Sequence, residues 1–418
     1  MSLNLSPDEI NILNGHSGAG AAMAMRIVSE TARLFGAERL IPVASAHIDG
    51  ALYHGDSGTL FAEKLLAGGA RVAVPSTLNV GALDLACGTR TRLPPHEHDM
   101  AKRLMLAHEA MGCLATWTCA PYQAGHRPKT GTDVAWGESN AVAFCNSVLG
   151  ARTNRYGDFL DICCAIIARA PDYGLHRPEN RRAKVVVDCS RISARLKSSE
   201  VFWPVIGSWF GRMIGTSIGV VEGLQGFATE DRLKAFGAAA ASTGAVALFH
   251  IAGVTPEAPT VDAILGGIPA EETIVVTPDM LTVARAGLST TDLLAIDAVA
   301  IGSPHLSFEE LAELDRLLDG RKTAVPFYAC TGRHAVLAAE KAGVRGRLET
   351  SGISIVADTC VVVTPILSGF SGVLITNSGK FAHYAPGNTG YAVQYGSLAD
   401  CVESAVSGRL TRDETAWA

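Results

Sequence analysis

Four times along the chain, a stretch with helical spacing of apolar residues stops on glycine and is followed by a short run that is apolar on both faces. "SGTLFAEKLLAGG" leads into "RVAVPSTLNVG", and "TEDRLKAFGAAAASTG" into "AVALFHIAG". The same order recurs in "SFEELAELDRLLDG" with "TAVPFYAC", and in "HAVLAAEKAG" with "ISIVADT". Strands without a polar face must be covered on both sides, and intervening helices bring successive strands back parallel. The pattern therefore predicts an α/β protein with mostly parallel sheets between helical layers. At 418 residues the chain is too long for one small core. Polar breaks near Arg191–Glu200 and Gly320–Ala324 predict units at 1–195, 196–322 and 323–418.

Several function classes are disfavoured. A net charge of −6 with no basic tract gives nucleic acid or an anionic membrane nothing to hold. Ten cysteines scattered through apolar segments do not look like a secreted disulfide scaffold, and residues 1–15 lack a basic start and an apolar signal core, so a cytoplasmic setting is expected. Those residues read as a short helix instead, with Ser6 as N-cap, Pro7 in the first turn and Glu9 closing a capping box. The apolar run from Val201 to Val221 carries glycines every fourth residue from 207 to 219, a spacing continued by Gly223, and an arginine near its middle. It predicts a glycine-faced helix or tight hairpin packed in a soluble core. "GHSGAGAAMAM" lacks the G-x-x-x-x-G-K-S/T of a phosphate loop; it is either a helix start facing an anion or a plain helix-opening turn.

In α/β folds, ligands collect at the carboxyl ends of strands. The polar, glycine-bearing stretches at 45–58, 75–81, 301–307, 328–334, 357–363 and 375–384 fall at such places. His47, His54, His126, His305, His334 and His383 occur in polar loops, each open to a structural or a chemical role. Lys380 follows the strand-like "VLITNS" and is either a surface lysine or a carboxylate-binding residue. The run Arg152, Thr153, Asn154, Arg155 interrupts a small and apolar stretch with many hydrogen-bond donors. It is either a helix-capping turn paired with acids such as Asp158 or a pocket built for an anion. Adjacent Cys163 and Cys164 fill core, whereas Cys119, Cys330 and Cys360 each border a polar loop.

"GESNAVAFCNSVLGARTNR", "TCAPY", "GSPHLSFEEL", "ADTCVVV" and "TNSGKFAHYAPG" together resemble the large subunit of aconitase X, a branch of the aconitase superfamily. The likeness runs from "LSPDEINILNG" to "NSGKFAHY", nearly the whole chain, and "ARTN" in its context is the most specific piece. The resemblance implies an aconitase-like fold of α/β/α layers around a central cleft, the swivel domain being absent from this chain. It implies an iron–sulfur-dependent hydro-lyase, with a 2Fe-2S or 4Fe-4S cluster and a separate small swivel subunit carrying a catalytic serine. The expected reaction is dehydration of cis-3-hydroxy-L-proline to Δ1-pyrroline-2-carboxylate; the alternative within the family is mevalonate 5-phosphate.

Carried onto this sequence, the resemblance places cluster ligation on Cys119 and Cys360. Ser303 stands where the family commonly has a third cysteine, which makes Cys330 the candidate replacement and favours the hydroxyproline branch. Ser76, Thr77, Ser139, Arg152, Thr153, Asn154 and Arg155 become candidate substrate-binding residues, with Lys380 beside them at the substrate carboxylate. The base is expected on the swivel serine, with His47 or His305 as the fallback in this chain. A guanidinium such as that of Arg152 suits a carboxylate through paired hydrogen bonds. Two rivals stand beside this reading: Cys119 and Cys360 as a cluster-free thiol acid/base pair, and a non-catalytic binding subunit.

Overall fold

The computed structural model describes residues 3–369 and 371–417. The chain forms two compact units, 1–83 with 93–182, and 84–92 with 183–418.

The first unit is built on a three-stranded parallel sheet in the order Ser76–Leu78, Ala46–Ile48, Ala135–Trp136. The strand expected over "RVAVPSTLNVG" is confined to Ser76–Leu78. Pro75 has no N–H to give a ladder, and the donors before it are used elsewhere: Val72 N–H bonds Met111 O and Ala73 N–H bonds Ala165 O. An antiparallel pair, Leu40–Pro42 with Arg169–Pro171, lies in the same unit. The helix Pro7–Leu13 carries the capping box expected from Ser6 and Glu9. The next helix, Ala19–Leu34, opens against the end of Asp56–Ala67: Gly20 N–H bonds Gly68 O, and a Cβ at Gly20 would lie 2.5 Å from Leu65 O. "GHSGAGAAMAM" is thus a helix start pressed on a neighbouring helix end. Met25, Val28, Leu65, Leu104 and Trp117 fill the core beneath the sheet, together with Cys163 and Cys164 as expected.

The second unit holds two parallel sheets. One runs His250–Ile251, Gly219–Glu222, Val185–Asp188, Glu272–Val275. The other runs Ile353–Ala357, Phe327–Thr331, Ala298–Leu306, Val373–Thr376, Ala392–Tyr395. In the second sheet the order reverses at Ala298–Leu306, which places a switch point at its carboxyl end. The apolar run after Val201 becomes the buried helix Phe202–Ile214, lying on Glu230–Gly244. A Cβ at Gly207 would sit 2.4 Å from Phe236 O, and one at Gly211 2.6 Å from Ala240 O, so both glycines permit the contact. Among the described residues, no helix is long and apolar enough to cross a membrane.

The segment Asp84–Arg92 is built into this second unit. The Asp84 carboxylate accepts N–H bonds from Ala86, Cys87, Gly88 and Thr89 of its own turn and from Ala357 at a strand end.

Candidate active site

Parallel register puts His47 opposite both Thr77 and Trp136. Side chains in register share a face of the sheet, and the face repeats every second residue. Asp49, Asn79 and Glu138 therefore form the next tier, just past the carboxyl ends of the same three strands. The alternation Ser45, His47, Asp49 in "SAHID" carries that pattern in the sequence.

His47 is fully buried. Its Nδ1 lies 2.9 Å from Thr77 Oγ1, and its Nε2 is buried with no hydrogen-bond partner among the described residues. Burial pulls its pKa well below the ordinary histidine value, and the nearby His126 adds to the effect, so the ring is neutral. Asp49 shows the opposite perturbation. Its carboxyl is pushed up to about 8, first by burial and then by repulsion from Glu138, Asp158 and Asp161, against a hydrogen bond from Asn79. Asp161, beneath it, is pushed to about 7 by burial, although it accepts N–H bonds from Asp49 (2.6 Å), Gly50 (3.3 Å) and Ile162 (2.7 Å). Only glycine fits at 137, where a Cβ would lie 2.6 Å from Asp161 Oδ2 and 2.9 Å from Asp49 Cβ. Asn79 is buried, and its Oδ1 has no partner among the described residues.

The 151–156 segment runs along the edge of this sheet. Arg152 bridges to Asp133 through its backbone and is half-buried; its Nε is buried without a hydrogen-bond partner among the described residues. Its neighbours are used to build the turn. Thr153 Oγ1 takes the Trp136 N–H (3.0 Å), and its peptide exchanges two hydrogen bonds with the Asn146 amide. Asn154 accepts from Leu175 N–H and donates to Tyr173 O. Under the turn, the buried Arg181 guanidinium donates to Asn146 O, Asn146 Oδ1, Ala151 O and Leu175 O. Arg155 is exposed. Ser76 Oγ donates to Val74 O, and Ser139 Oγ to Glu138 Oε1, at the start of the helix Ser139–Ser147.

In the second unit, His305, Lys380, Cys330 and Cys360 sit at or near the carboxyl ends of the five-stranded sheet. His305 is fully buried, its Nε2 3.1 Å from Thr359 O; burial brings it down to about 3, with His334, Lys234 and Lys380 adding positive charge nearby. Lys380 is half-buried in the first turn of Gly379–Thr389, whose N-cap Ser378 also donates to Ser303 O. Sequence reasoning missed the buried Lys234. Its ammonium is held by Asp231 (2.8 Å) and Glu310 (2.5 Å), whose charges outweigh the cost of burial and raise its pKa. A small cavity of about 40 Å³ is lined by Lys234, Ser303, Glu310, Asn377 and Ser378. A larger one of about 190 Å³ is lined by Glu200, Asp231, Arg232 and Tyr395, and shares Glu310 and Asn377 with the first.

The expected iron–sulfur cluster is corrected by these side chains. Among the described residues, no group of three or more His, Cys, Asp or Glu could hold a metal ion. Cys119, Cys330 and Cys360 are each buried in their own segment. The Cys119 carbonyl is taken by the Asn140 amide, Cys330 lies within a strand ladder, and the Cys360 carbonyl takes the Val363 N–H. Among the described residues, the three cysteines do not form a ligand set.

Residues 2–179, 183–286 and 296–407 match the models of the aconitase X first, second and third domains, respectively. The chain is 41% identical over 97% of its length to cis-3-hydroxy-L-proline dehydratase of Pseudomonas aeruginosa, covering 70% of that protein. The chain belongs to the aconitase X family. It is of the large-subunit type and is a hydro-lyase. Another aconitase X relative, the phosphomevalonate dehydratase large subunit of Methanothermobacter thermautotrophicus, is 37% identical over 94% of this chain and 96% of that one. The crystal structure of Thermococcus kodakaraensis aconitase X in its holo-form superposes with a TM-score of 0.85 at 31% identity, covering 96% of this chain and 100% of that one. That likeness bears out the α/β fold with mostly parallel sheets expected of an aconitase X chain.

Proposed function

We propose that this chain is the large subunit of a dehydratase that converts cis-3-hydroxy-L-proline to Δ1-pyrroline-2-carboxylate. The observation that carries the reading is the inverted pair on one sheet face. His47 is kept neutral with a bare or singly protonated Nε2, while Asp49 keeps its proton at neutral pH. Environments that push two groups apart in this way assign a base and an acid. The two residues are two positions apart in the chain and share a face, so their Cα atoms are separated by about 7 Å and both can bear on one small acid.

Loss of water needs both partners. His47 Nε2 takes the proton from C2, the C2–H electrons form the C2–C3 double bond, and the C3 hydroxyl leaves as water with the Asp49 proton. The enamine tautomerises to the imine. Arg152 holds the carboxylate that stabilises charge developing at C2, while Thr153 and Asn154 shape the turn that presents it. A small swivel subunit with its serine completes the enzyme in this reading; the archaeal relatives are named as large subunits. Identities of 41% and 39% to hydroxyproline dehydratases from Pseudomonas aeruginosa and Hypocrea jecorina support this substrate. Mevalonate 5-phosphate is the second reading, supported by identities of 32% to 37% to the archaeal large subunits.

The test is to co-express the chain with its small subunit and to follow loss of one water from each compound by mass spectrometry. Turnover of cis-3-hydroxy-L-proline alone is expected. Turnover of mevalonate 5-phosphate alone would reverse the substrate assignment, and a fully active His47→Gln enzyme would remove the base.

A further inference from the structure

Behind His47 stands a line of polar side chains that the reaction itself does not touch. Thr77 Oγ1 lies 2.9 Å from His47 Nδ1 and 2.7 Å from His126 Nδ1. His126 Nε2 lies 2.8 Å from Ser45 Oγ. Thr77 is also 3.5 Å from Ala46 O, too far to compete with either ring. The tilted Trp136 ring, 5.4 Å from the His47 centroid and 4.9 Å from that of His126, packs against both imidazoles and fixes their planes.

One hydroxyl carries one proton, and each Nδ1 is either a donor or an acceptor. Thr77 can therefore donate to only one of the two rings, and must accept from the other. If His47 Nδ1–H donates to Thr77, then Thr77 donates to His126 Nδ1, and His126 Nε2–H donates to Ser45. His47 Nε2 is then bare. Reversing every bond gives the mirror setting, in which His47 Nε2 carries hydrogen. The two rings must hold opposite tautomers, and switching one switches the other.

We propose that Ser45, His126, Thr77 and His47 form a proton relay serving His47 Nε2. This deepens the reading of His47 as the base and rests on it. As Nε2 takes the substrate proton, the Nδ1 proton passes to Thr77 Oγ1 and the Thr77 proton to His126 Nδ1. The His126 Nε2 proton passes to Ser45 Oγ, and the Ser45 proton leaves to water. Each bond to hydrogen that breaks is matched by one that forms, and no electrons are exchanged with any other group. Neither ring becomes a cation, which matters because burial strongly disfavours the charged form of both. A lone buried imidazole would have to hold the proton as imidazolium; the relay hands a proton out at the far end instead. Thr77 and His126 are positioning residues here.

Imidazole nitrogen shifts of the chain labelled with ¹⁵N-histidine read the tautomers directly, with His47→Gln and His126→Gln assigning the signals. Opposite tautomers, or a pair exchanging together, are expected at neutral pH. Thr77→Val keeps the side-chain shape and removes the shared hydroxyl, so it should uncouple the rings. In the enzyme with its small subunit, Thr77→Val should lower kcat roughly tenfold or more with KM within about twofold, and Thr77→Ser should restore it. Identical tautomers in the unaltered chain, for example both Nδ1–H with Thr77 donating to Ala46 O, would overturn the relay. So would unchanged kcat in Thr77→Val. Opposite tautomers beside a fully active His47→Gln enzyme would leave the hydrogen-bond coupling intact but strip it of its catalytic use.

Discussion

Replacing Asp161 with Asn removes a buried titrating group from the acidic cluster under Asp49, and the consequence can be worked out from the pKa shift. The folded-state pKa of Asp161 is about 7, against an ordinary value of 3.8. Below pH 3.8 the group is protonated in both folded and unfolded chains and costs nothing. As pH rises from there the unfolded chain ionises while the folded one keeps its proton, so stability falls by about 1.4 kcal/mol per pH unit. The fall ends near pH 7, after about three units (7 − 3.8), for a total of about 4 kcal/mol. Between pH 5.5 and 8.5 only the part up to pH 7 counts, about 1.5 units or about 2 kcal/mol. Asn does not titrate. Any fixed cost of its amide facing the Asp49 and Gly50 N–H groups is the same at both pH values and cancels. The stability of Asp161→Asn relative to the unaltered protein should therefore improve by about 2 kcal/mol from pH 5.5 to pH 8.5. Release of Asp49 from the repulsion of its neighbour acts in the same direction. Urea unfolding followed by tryptophan fluorescence measures this, since Trp117 and Trp136 are buried in the same unit. A relative stability that does not change between the two pH values would refute the burial argument for Asp161.

Gly211→Ala places a methyl 2.6 Å from Ala240 O, and should lower stability by about 1–3 kcal/mol in the same urea measurement. Arg152→Lys should lower kcat/KM roughly tenfold or more with folding unchanged by circular dichroism, because an ammonium cannot reproduce the planar fork; equal kinetics would leave Arg152 a structural role.

Periodicity made the layered α/β architecture legible, because helical stripes and doubly apolar strands are local properties. Ser6 with Glu9, and Gly207 with Gly211, were readable for the same reason: a cap and a close helix contact each need particular residues at fixed short spacing. The candidate site was less legible. His47 stood out by its residue type, but Asp49 did not, since a carboxyl becomes a proton donor only through what surrounds it. Asp158 and Asp161 lie over a hundred residues away, and Glu138 nearly as far. Asn154 and Thr153 show the converse. Their donors looked ready for an anion in the sequence, yet the structure spends them on Tyr173 O, Asn154 O and the Asn146 amide. The cysteines mark a further limit: bordering a polar loop does not make a side chain part of a ligand set, and Cys119, Cys330 and Cys360 assemble none with any His, Asp or Glu among the described residues.

The nine-residue excursion at Asp84–Arg92 has a consequence for how the chain comes to be made. Asp84 binds the peptide of Ala357, which is synthesised 273 residues later. While a ribosome is still translating, the first unit can close around a loop whose docking place does not yet exist. A gene fragment encoding 1–182 would carry that loop without the strand end that receives it, so dissecting this protein by simple truncation leaves an orphaned strap.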